Sequence, residues 1–198
     1  PADIEGKRVL DVCCRKGKGA FALADAVGTS GFVVGVDPDA GNVAAACAAA
    51  PKNHWAGASW DRHLRFFPAI PENLSQACIE DGSFDLVYIN SVVNLAWSLP
   101  VALAEFARVL TPGGRLWIAQ GVFAEDGFGA QGDIVGESGP IDVFSQARSC
   151  AALERMCLEA GFSSVSFSSI SPLVGESLSD GGCSDGESFY LADACATI

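Results

Sequence analysis

Strand-like and helix-like runs alternate along this chain almost from end to end, and that leaves little choice of architecture. Residues 7–13 form an apolar strand carrying Asp11, and residues 20–27 follow as a helix stopped by Gly28. Residues 31–37 are a second buried strand. Pro38 and Asp39 open the next helix, which runs through Ala44 to Ala50, with proline at a tolerated first-turn position. Residues 64–70 form a third strand, and Pro68 predicts an edge position, because proline cannot donate to a ladder. Residues 84–90, a helix over 99–110, a strand over 115–122 and a helix over 146–160 capped by Gly161 continue the pattern. Segments 165–169 and 188–194 read as closing strands. Such alternation marks a parallel sheet covered on both faces. With the terminal strand pair it predicts a seven-stranded, mostly parallel α/β sheet, order 3-2-1-4-5-7-6, with helices on both faces.

A chain of 198 residues suits one domain, here taken as 1–198. Residues 123–145 and 175–187, rich in Gly, Asp and Glu, read as a lid-like loop and a mobile acidic loop. The 12 basic and 24 acidic residues give a net charge of -12, which argues against nucleic acid or an anionic membrane surface as main partner and leaves a small molecule. No apolar run reaches the roughly 18 residues of a membrane span, and no basic-then-apolar signal opens the chain. Most of the 8 cysteines sit in apolar periodic segments, as small buried hydrophobes of a reducing, cytoplasmic compartment. No C-x-x-C pair occurs, and His54 and His63 are not at ligand spacing, so no metal is expected. With Trp55 and Trp60 these histidines crowd the loop 51–63, where they either roof a ligand or, as expected more often, half-bury against a sheet edge.

In a doubly wound sheet a ligand binds at the carboxyl ends of the strands, where the strand order reverses. The turn after the first strand reads Asp11-Val12-Cys13-Cys14-Arg15-Lys16-Gly17-Lys18-Gly19 and lies there. Asp37 ends the second strand, where a carboxylate can accept from both hydroxyls of a ribose or cap the helix behind Pro38.

That turn and the later Thr111-Pro112-Gly113-Gly114 resemble the class I S-adenosylmethionine-dependent methyltransferases, a single Rossmann-like domain. The family's loop runs Asp-x-Gly-x-Gly-x-Gly; Cys13 and Arg15 replace its first glycines while Gly17 and Gly19 remain. The resemblance implies a cofactor site of Asp11, Cys13, Gly17, Asp37, Pro38, Ile70, Pro71 and Asn90. Ile70 cannot accept from the adenine amino group and Pro71 has no N–H to offer it. S-adenosylmethionine binding is therefore expected to be weak or lost. The chain opens at Pro1 without Met, so preceding residues that cover the cofactor in this class are expected to be missing.

Ser91-Val92-Val93-Asn94-Leu95 resembles the Asn-Cys-Val-x-Asn-Leu of arsenite methyltransferases after the matching Asn90, and Gly136-Glu137-Ser138 resembles their Gly-Glu-Cys. Both family cysteines bind arsenic as thiolates; Ser91 and Ser138 stand in their places, and a hydroxyl is a poor ligand for a soft centre. Ser91, Asn94 and Ser138 are expected to face the substrate. Methyl transfer requires no catalytic side chain, since it works by aligning the acceptor's own nucleophile. The expected activity is S-adenosylmethionine-dependent methylation of an acceptor other than arsenite. The alternative is a non-catalytic relative that binds a metabolite or a protein. The absent Gly-x-Gly-x-x-Gly disfavours a nicotinamide enzyme. The acceptor and the oligomeric state stay open.

Overall fold

The computed structural model describes residues 4–52, 62–124, 146–173 and 189–198. Seven strands form one sheet in the order β3-β2-β1-β4-β5-β7-β6. They are β1 (Arg8–Val12), β2 (Phe32–Asp37), β3 (Leu64–Pro68), β4 (Phe84–Asn90), β5 (Leu110–Ala124), β6 (Ser164–Pro172) and β7 (Phe189–Thr197). The first five pair in parallel, and β7 lies antiparallel to both β5 and β6. The expected order holds, and β3 is an edge strand as Pro68 implied. Among the described residues the helices are α1 (Lys18–Val27), α2 (Ala40–Ala49), α3 (Leu99–Val109) and α4 (Cys150–Glu159).

Neighbouring residues of the central strands are apolar because both faces are covered. Val9, Val33, Leu64, Phe66 and Leu86 pack with Ala20, Leu23, Ala24 and Val27 of α1 and with Val43 and Ala46 of α2. Leu10, Val12, Val34, Val87, Ile89, Leu116 and Ile118 pack with Leu103 and Phe106 of α3 and Leu153 and Cys157 of α4. Val9 and Leu10 are each fully buried, on opposite faces. The cysteines are less uniform than expected: Cys14 and Cys157 are buried, but Cys78 is exposed.

The largest departure from the expected boundaries is β5, which begins at Leu110 and runs through Ala124. The Thr-Pro-Gly-Gly turn bulges out of its ladder between the pairs Phe84↔Leu110 and Leu86↔Arg115, with Gly113 at φ 77°. Phe123 and Ala124 therefore belong to a strand, not to the lid-like loop, whose remaining residues lie outside the described ones, as do 175–187. Further along, Gln120 (φ 50°) and Ser169 (φ 56°) mark adjacent bulges on β5 and β6. The Gln120 N–H donates to Asp193 Oδ1 at 2.8 Å, so the first bulge has a side-chain partner. The last helix starts at Cys150 rather than residue 146, capped by Ser149, whose Oγ accepts from the Ala152 N–H at 3.2 Å.

Arg108 on α3 fastens the link between β3 and β4. It donates to Glu105 at 2.7 and 2.8 Å and to Asp81 at 2.6 Å, while Glu105 also accepts from the Leu74 N–H. The guanidinium holds the Glu105 carboxyl below its ordinary value, despite some burial.

Gly35, in the middle of β2, is the tightest sheet position near the site. A Cβ there would stand 2.6 Å from Phe66 Cδ1 and 3.0 Å from Cys14 Sγ. Overpacking of this kind costs about 1–3 kcal/mol. Gly35→Ala is expected to lower unfolding free energy by that amount in denaturant titration, and an unchanged midpoint would show that Phe66 moves freely.

Candidate functional site

Strand order reverses at the β1–β4 boundary, so the loops leaving β1 and β4 face one crevice, with the end of β2 beside it. The backbone of the β1–α1 turn is tightly specified. The Cys14 N–H donates to Val36 O at 2.9 Å, and Gly17 N–H to Cys14 O at 2.9 Å. Cys13 and Arg15 adopt φ 57° and 52°, left-handed angles that suit glycine. Each non-glycine residue there costs of order 1–2 kcal/mol. Gly17, at φ 84°, sits where a Cβ would come within 3.0 Å of Phe21 and Phe66.

Asp37 holds this strained turn. It is 4% exposed. Its Oδ2 accepts from the Arg15 N–H at 2.8 Å, and its Oδ1 accepts from the Asp39 N–H at 3.0 Å and Asn42 Nδ2 at 3.1 Å. Asp37 does not cap α2: Asp39 does, with its Oδ1 accepting from the Gly41 N–H at 2.7 Å. Pro38 is exposed and precedes that cap, so it lies outside the helix it was expected to open. A carboxylate offers about four acceptor positions. With three filled, Asp37 has room for one hydroxyl hydrogen rather than two while the turn keeps this form.

Asp11 lies near the carboxyl end of β1, beneath the start of α1. It is 3% exposed, and among the described residues its Oδ2 accepts no hydrogen bond. A Cβ on Gly19 would lie 3.1 Å from that oxygen, so the helix start closes directly over the carboxyl. Burial, and secondarily the charge of Asp37, raise it to about 7, against the Ala20 N–H, which favours the anion. The same burial pushes the Cys13 thiol up to about 12, with Asp37, Asp11 and Glu72 adding to it. Cys14 is raised further by burial, then by Asp11 and Asp37. Both thiols are therefore neutral and unreactive at physiological pH.

At the end of β3, Ile70 is 39% exposed and Pro71 is buried. Glu72 follows, and its Oε1 accepts from the Ser98 N–H at 3.0 Å. At the end of β4, Asn90 is exposed and its Oδ1 accepts from Ser91 Oγ at 2.8 Å. Ser91 is a third left-handed residue of the crevice, at φ 62°, and its N–H donates to Ala119 O. Asn94, expected to face the substrate, is turned inward. It is 6% exposed, and its Nδ2 donates to Val122 O at 2.6 Å, so it braces the loop against β5. Ser138, His54, Trp55 and Trp60 lie outside the described residues. His63 Nδ1 stands 3.2 Å from Gly31 O, away from the crevice.

Three contributors had escaped the sequence: Asn42, Glu72 and Tyr88. Asn42 is three residues beyond the Asp39 cap, so the first turn of α2 carries it back toward Asp37. Tyr88 pairs with Asp11 across β1 and β4, and its hydroxyl is raised first by burial and then by Asp11's charge. A groove of about 450 Å³ between Phe32, Phe67, Cys78 and Phe84 lies on the β3 side of the sheet and includes none of the sequence-predicted candidates.

Residues 10–118 match the family model described as a methyltransferase domain. The chain belongs to that family. An arsenite methyltransferase from Aquipseudomonas alcaligenes is 35% identical over 125 residues, which is 63% of this chain and 35% of the relative. A demethylmenaquinone methyltransferase from Lactococcus lactis is 32% identical over 114 residues, or 58% of this chain and 42% of the relative. The crystal structure of an arsenic (III) S-adenosylmethionine methyltransferase from Chlamydomonas reinhardtii superposes with a TM-score of 0.77 at 26% identity, covering 98% of this chain and 64% of that one. This methyltransferase domain is thus similar to arsenite methyltransferases and spans about a third of the length of the first of these relatives. Among the described residues no helix is long and apolar enough to cross a membrane.

The raised Asp11 carboxyl links folding to pH. The folded chain holds that proton up to about 7, whereas an unfolded aspartate loses it near its ordinary 3.8. The contribution of neutral Asp11 to stability is complete below the unfolded value and is lost as pH rises through the folded one, by at most about 4 kcal/mol. In unfolding titrations of ligand-free protein, the stability of Asp11→Asn relative to the parent is expected to climb between about pH 4 and pH 7 and then level off. A flat difference would mean that Asp11 is ionised throughout.

Proposed function

We propose that this methyltransferase domain transfers the methyl group of S-adenosylmethionine to a small-molecule acceptor other than arsenite. The observation that carries this is a pair of buried carboxylates beside the β1–β4 switch point: Asp11, whose Oδ2 has no hydrogen-bond partner among the described residues, and Asp37. These residues fit the cofactor: it is a hydroxylated organic cation, and buried carboxylates favour both features. Bound there, it supplies an electrophilic methyl on a positively charged sulfur.

The chain's own part is to bind and to orient. Asp11 offers negative charge in a dry setting, where it is worth more than in water. Asp37 accepts from one ribose hydroxyl at its remaining acceptor position. Gly17 and Gly19 let the backbone approach the ligand, and the exposed Ile70 supplies an apolar surface for the base, with Pro71 closing the strand end behind it. Asn90 and Ser91 face the acceptor at the end of β4, and Ser138 serves the acceptor by its motif. Alignment within this crevice, rather than acid–base chemistry, sets the rate.

A non-catalytic role is favoured by one specific observation: the Arg15 N–H occupies Asp37 Oδ2, and the turn that makes this bond is strained at both Cys13 and Arg15. Calorimetric titration with S-adenosylmethionine and S-adenosylhomocysteine separates the two roles. Weak binding by the parent and tighter binding by the double variant Cys13→Gly, Arg15→Gly are expected for the enzyme. No binding by either protein would favour the non-catalytic role.

Arsenite is disfavoured as acceptor by ligand chemistry. Ser91 presents a hydroxyl where the related arsenite enzymes place a thiolate, and oxygen does not replace sulfur for a thiophilic centre. Neither Cys13 nor Cys14 compensates, since burial and Asp37 or Asp11 hold both as neutral thiols. With arsenite, cofactor and a thiol reductant, no methylated arsenic is expected by mass spectrometry; turnover would show that another cysteine has taken over. Ser91→Cys with Ser138→Cys is expected to restore arsenic binding.

A further inference from the structure

Buried Asp11 and Asp37 make the ends of β1 and β2 acidic, but the loop leaving β4 has a different character. Six large apolar side chains stand exposed among the described residues. Four of them, Ile70, Leu95, Trp97 and Val101, lie just beyond β3 and β4 or in the first turn of α3. Trp97 is 76% exposed, more than any other of the six. One such residue alone is ordinary, whereas a cluster beside a crevice marks a surface that an apolar body covers. The loop that carries Trp97 is held from both ends of the crevice. The Ser98 N–H donates to Glu72 Oε1 at 3.0 Å, and Glu72 lies close enough to add its charge at Cys13. On the other side Asn94 Nδ2 donates to Val122 O of β5 at 2.6 Å. Arg148 is pinned to the same strand, its carbonyl accepting from the Ala124 N–H at 3.0 Å. Asn94, Trp97, Ser98, Gln146 and Arg148 share one cleft of about 20 Å³. That is room for one water-sized group, so the body of a ligand reaching in must rest outside, over Trp97.

We propose that the methyl acceptor is a planar aromatic acid, its ring lying on Trp97 and Leu95 and its carboxylate entering the cleft toward Arg148. This rests on the methyl-transfer reading above. An exposed indole offers a broad flat face at little cost in side-chain freedom, and rings stack on it in offset or edge-to-face contact. A guanidinium carries five N–H donors in a planar fork, which matches a carboxylate and serves more than one partner at once. The size of the cleft favours a carboxylate over a phosphate or sulfonate, which carry three outer oxygens. Charge then sorts the two ligands. The cationic cofactor meets the acids at the ends of β1 and β2, and the anionic acceptor meets the guanidinium beside β5, so each is disfavoured in the other's place. An uncharged analogue keeps the ring contact and loses the charge-assisted bonds, while an aliphatic acid keeps the bonds and loses the stacking.

The probe is 3-hydroxy-2-naphthoate, titrated calorimetrically into the whole chain with S-adenosylhomocysteine present, beside its uncharged carboxamide and cyclohexanecarboxylate. The naphthoate is expected to bind about tenfold tighter than either, the scale of one hydrogen bond to a charged group. Trp97→Ala is expected to weaken the naphthoate about tenfold, and Trp97→Phe to keep most of its affinity. Arg148→Gln is expected to bring the acid down to the level of the carboxamide. Equal binding of acid and carboxamide by the parent, full affinity in Trp97→Ala, or an unchanged preference for the acid in Arg148→Gln overturns the proposal. Should Arg148→Gln not fold, Arg148→Lys replaces it: the charge stays, the fork is lost, and an undiminished preference for the acid overturns the proposal. S-adenosylhomocysteine alone, titrated into the parent and Trp97→Ala, reads the cofactor assignment separately, with equal affinities expected. Cofactor binding without naphthoate binding overturns this proposal alone. Naphthoate binding with no cofactor binding overturns the transfer reading, and with it the role of the acid as acceptor.

Discussion

The carboxylate of Asp37 ties together the two loops from which the crevice is built. Its Oδ2 holds the β1–α1 turn through Arg15, and its Oδ1 holds the β2–α2 turn through Asp39 and Asn42. Hydrogen bonds to a charged group are worth about 1.5–3 kcal/mol each. That is the scale needed to keep Cys13 and Arg15 at left-handed angles, where each costs of order 1–2 kcal/mol. A glycine loop would adopt the same path with no such restraint. The group proposed to bind a ligand's hydroxyls is partly engaged in holding its own loop, so under that proposal binding strength and loop geometry are coupled through one side chain.

Much of the fold was legible in the sequence because fully buried parallel strands leave a strong signal. Val9 and Leu10, or Val33 and Val34, are consecutive apolar residues, which only a sheet covered on both faces requires. Boundaries were less legible. A Pro-Gly-Gly turn reads as the end of one element and the start of another, and nothing local distinguishes it from the bulge within β5 that the pairing with β4 produces. The helix at 150–159 starts late for a similar reason. Gln146, Ala147 and Arg148 carry no helix breaker, and the choice of Ser149 as cap is made by a hydrogen bond from the Ala152 N–H that spacing alone does not reveal.

The crevice was legible in position and less so in roles. Asp11, Cys13, Gly17 and Asp37 were all placed at the β1 and β2 ends, because strand polarity alone carries them there. Asp37 was weighed as a possible helix cap, but Asp39 is the residue with the required extended backbone, φ -87° and ψ 109°. Asn94 has a partner that its motif did not suggest. Its motif placed it toward a substrate, while the long β5 provides Val122 O as a buried acceptor that was not foreseeable with the strand ended at that residue. Glu72 was passed over because Ile70 and Pro71 occupied the expected adenine positions. The acid two residues on still contributes charge at Cys13.

Left-handed residues recur where the crevice is formed: Cys13 and Arg15 after β1, and Ser91 after β4. Strain of this kind persists when the surrounding structure determines the backbone more strongly than the residue opposes it. Here the determinants can be named: Asp37 for the first loop, and the Ser91 N–H to Ala119 O bond, with Val92 N–H to Asn90 O, for the second. The two loops flank Asp11, whose unpartnered oxygen is the complementary cost, electrostatic rather than conformational. A fold under no demand at this crevice would have little reason to keep a buried carboxyl without a counter-charge. Among the described residues no cation pairs with it, and Asp37 and two thiols kept neutral by burial lie near it. Under the proposed function, a positively charged, hydroxylated small molecule answers both the Asp11 oxygen that has no partner among the described residues and the remaining acceptor position of Asp37.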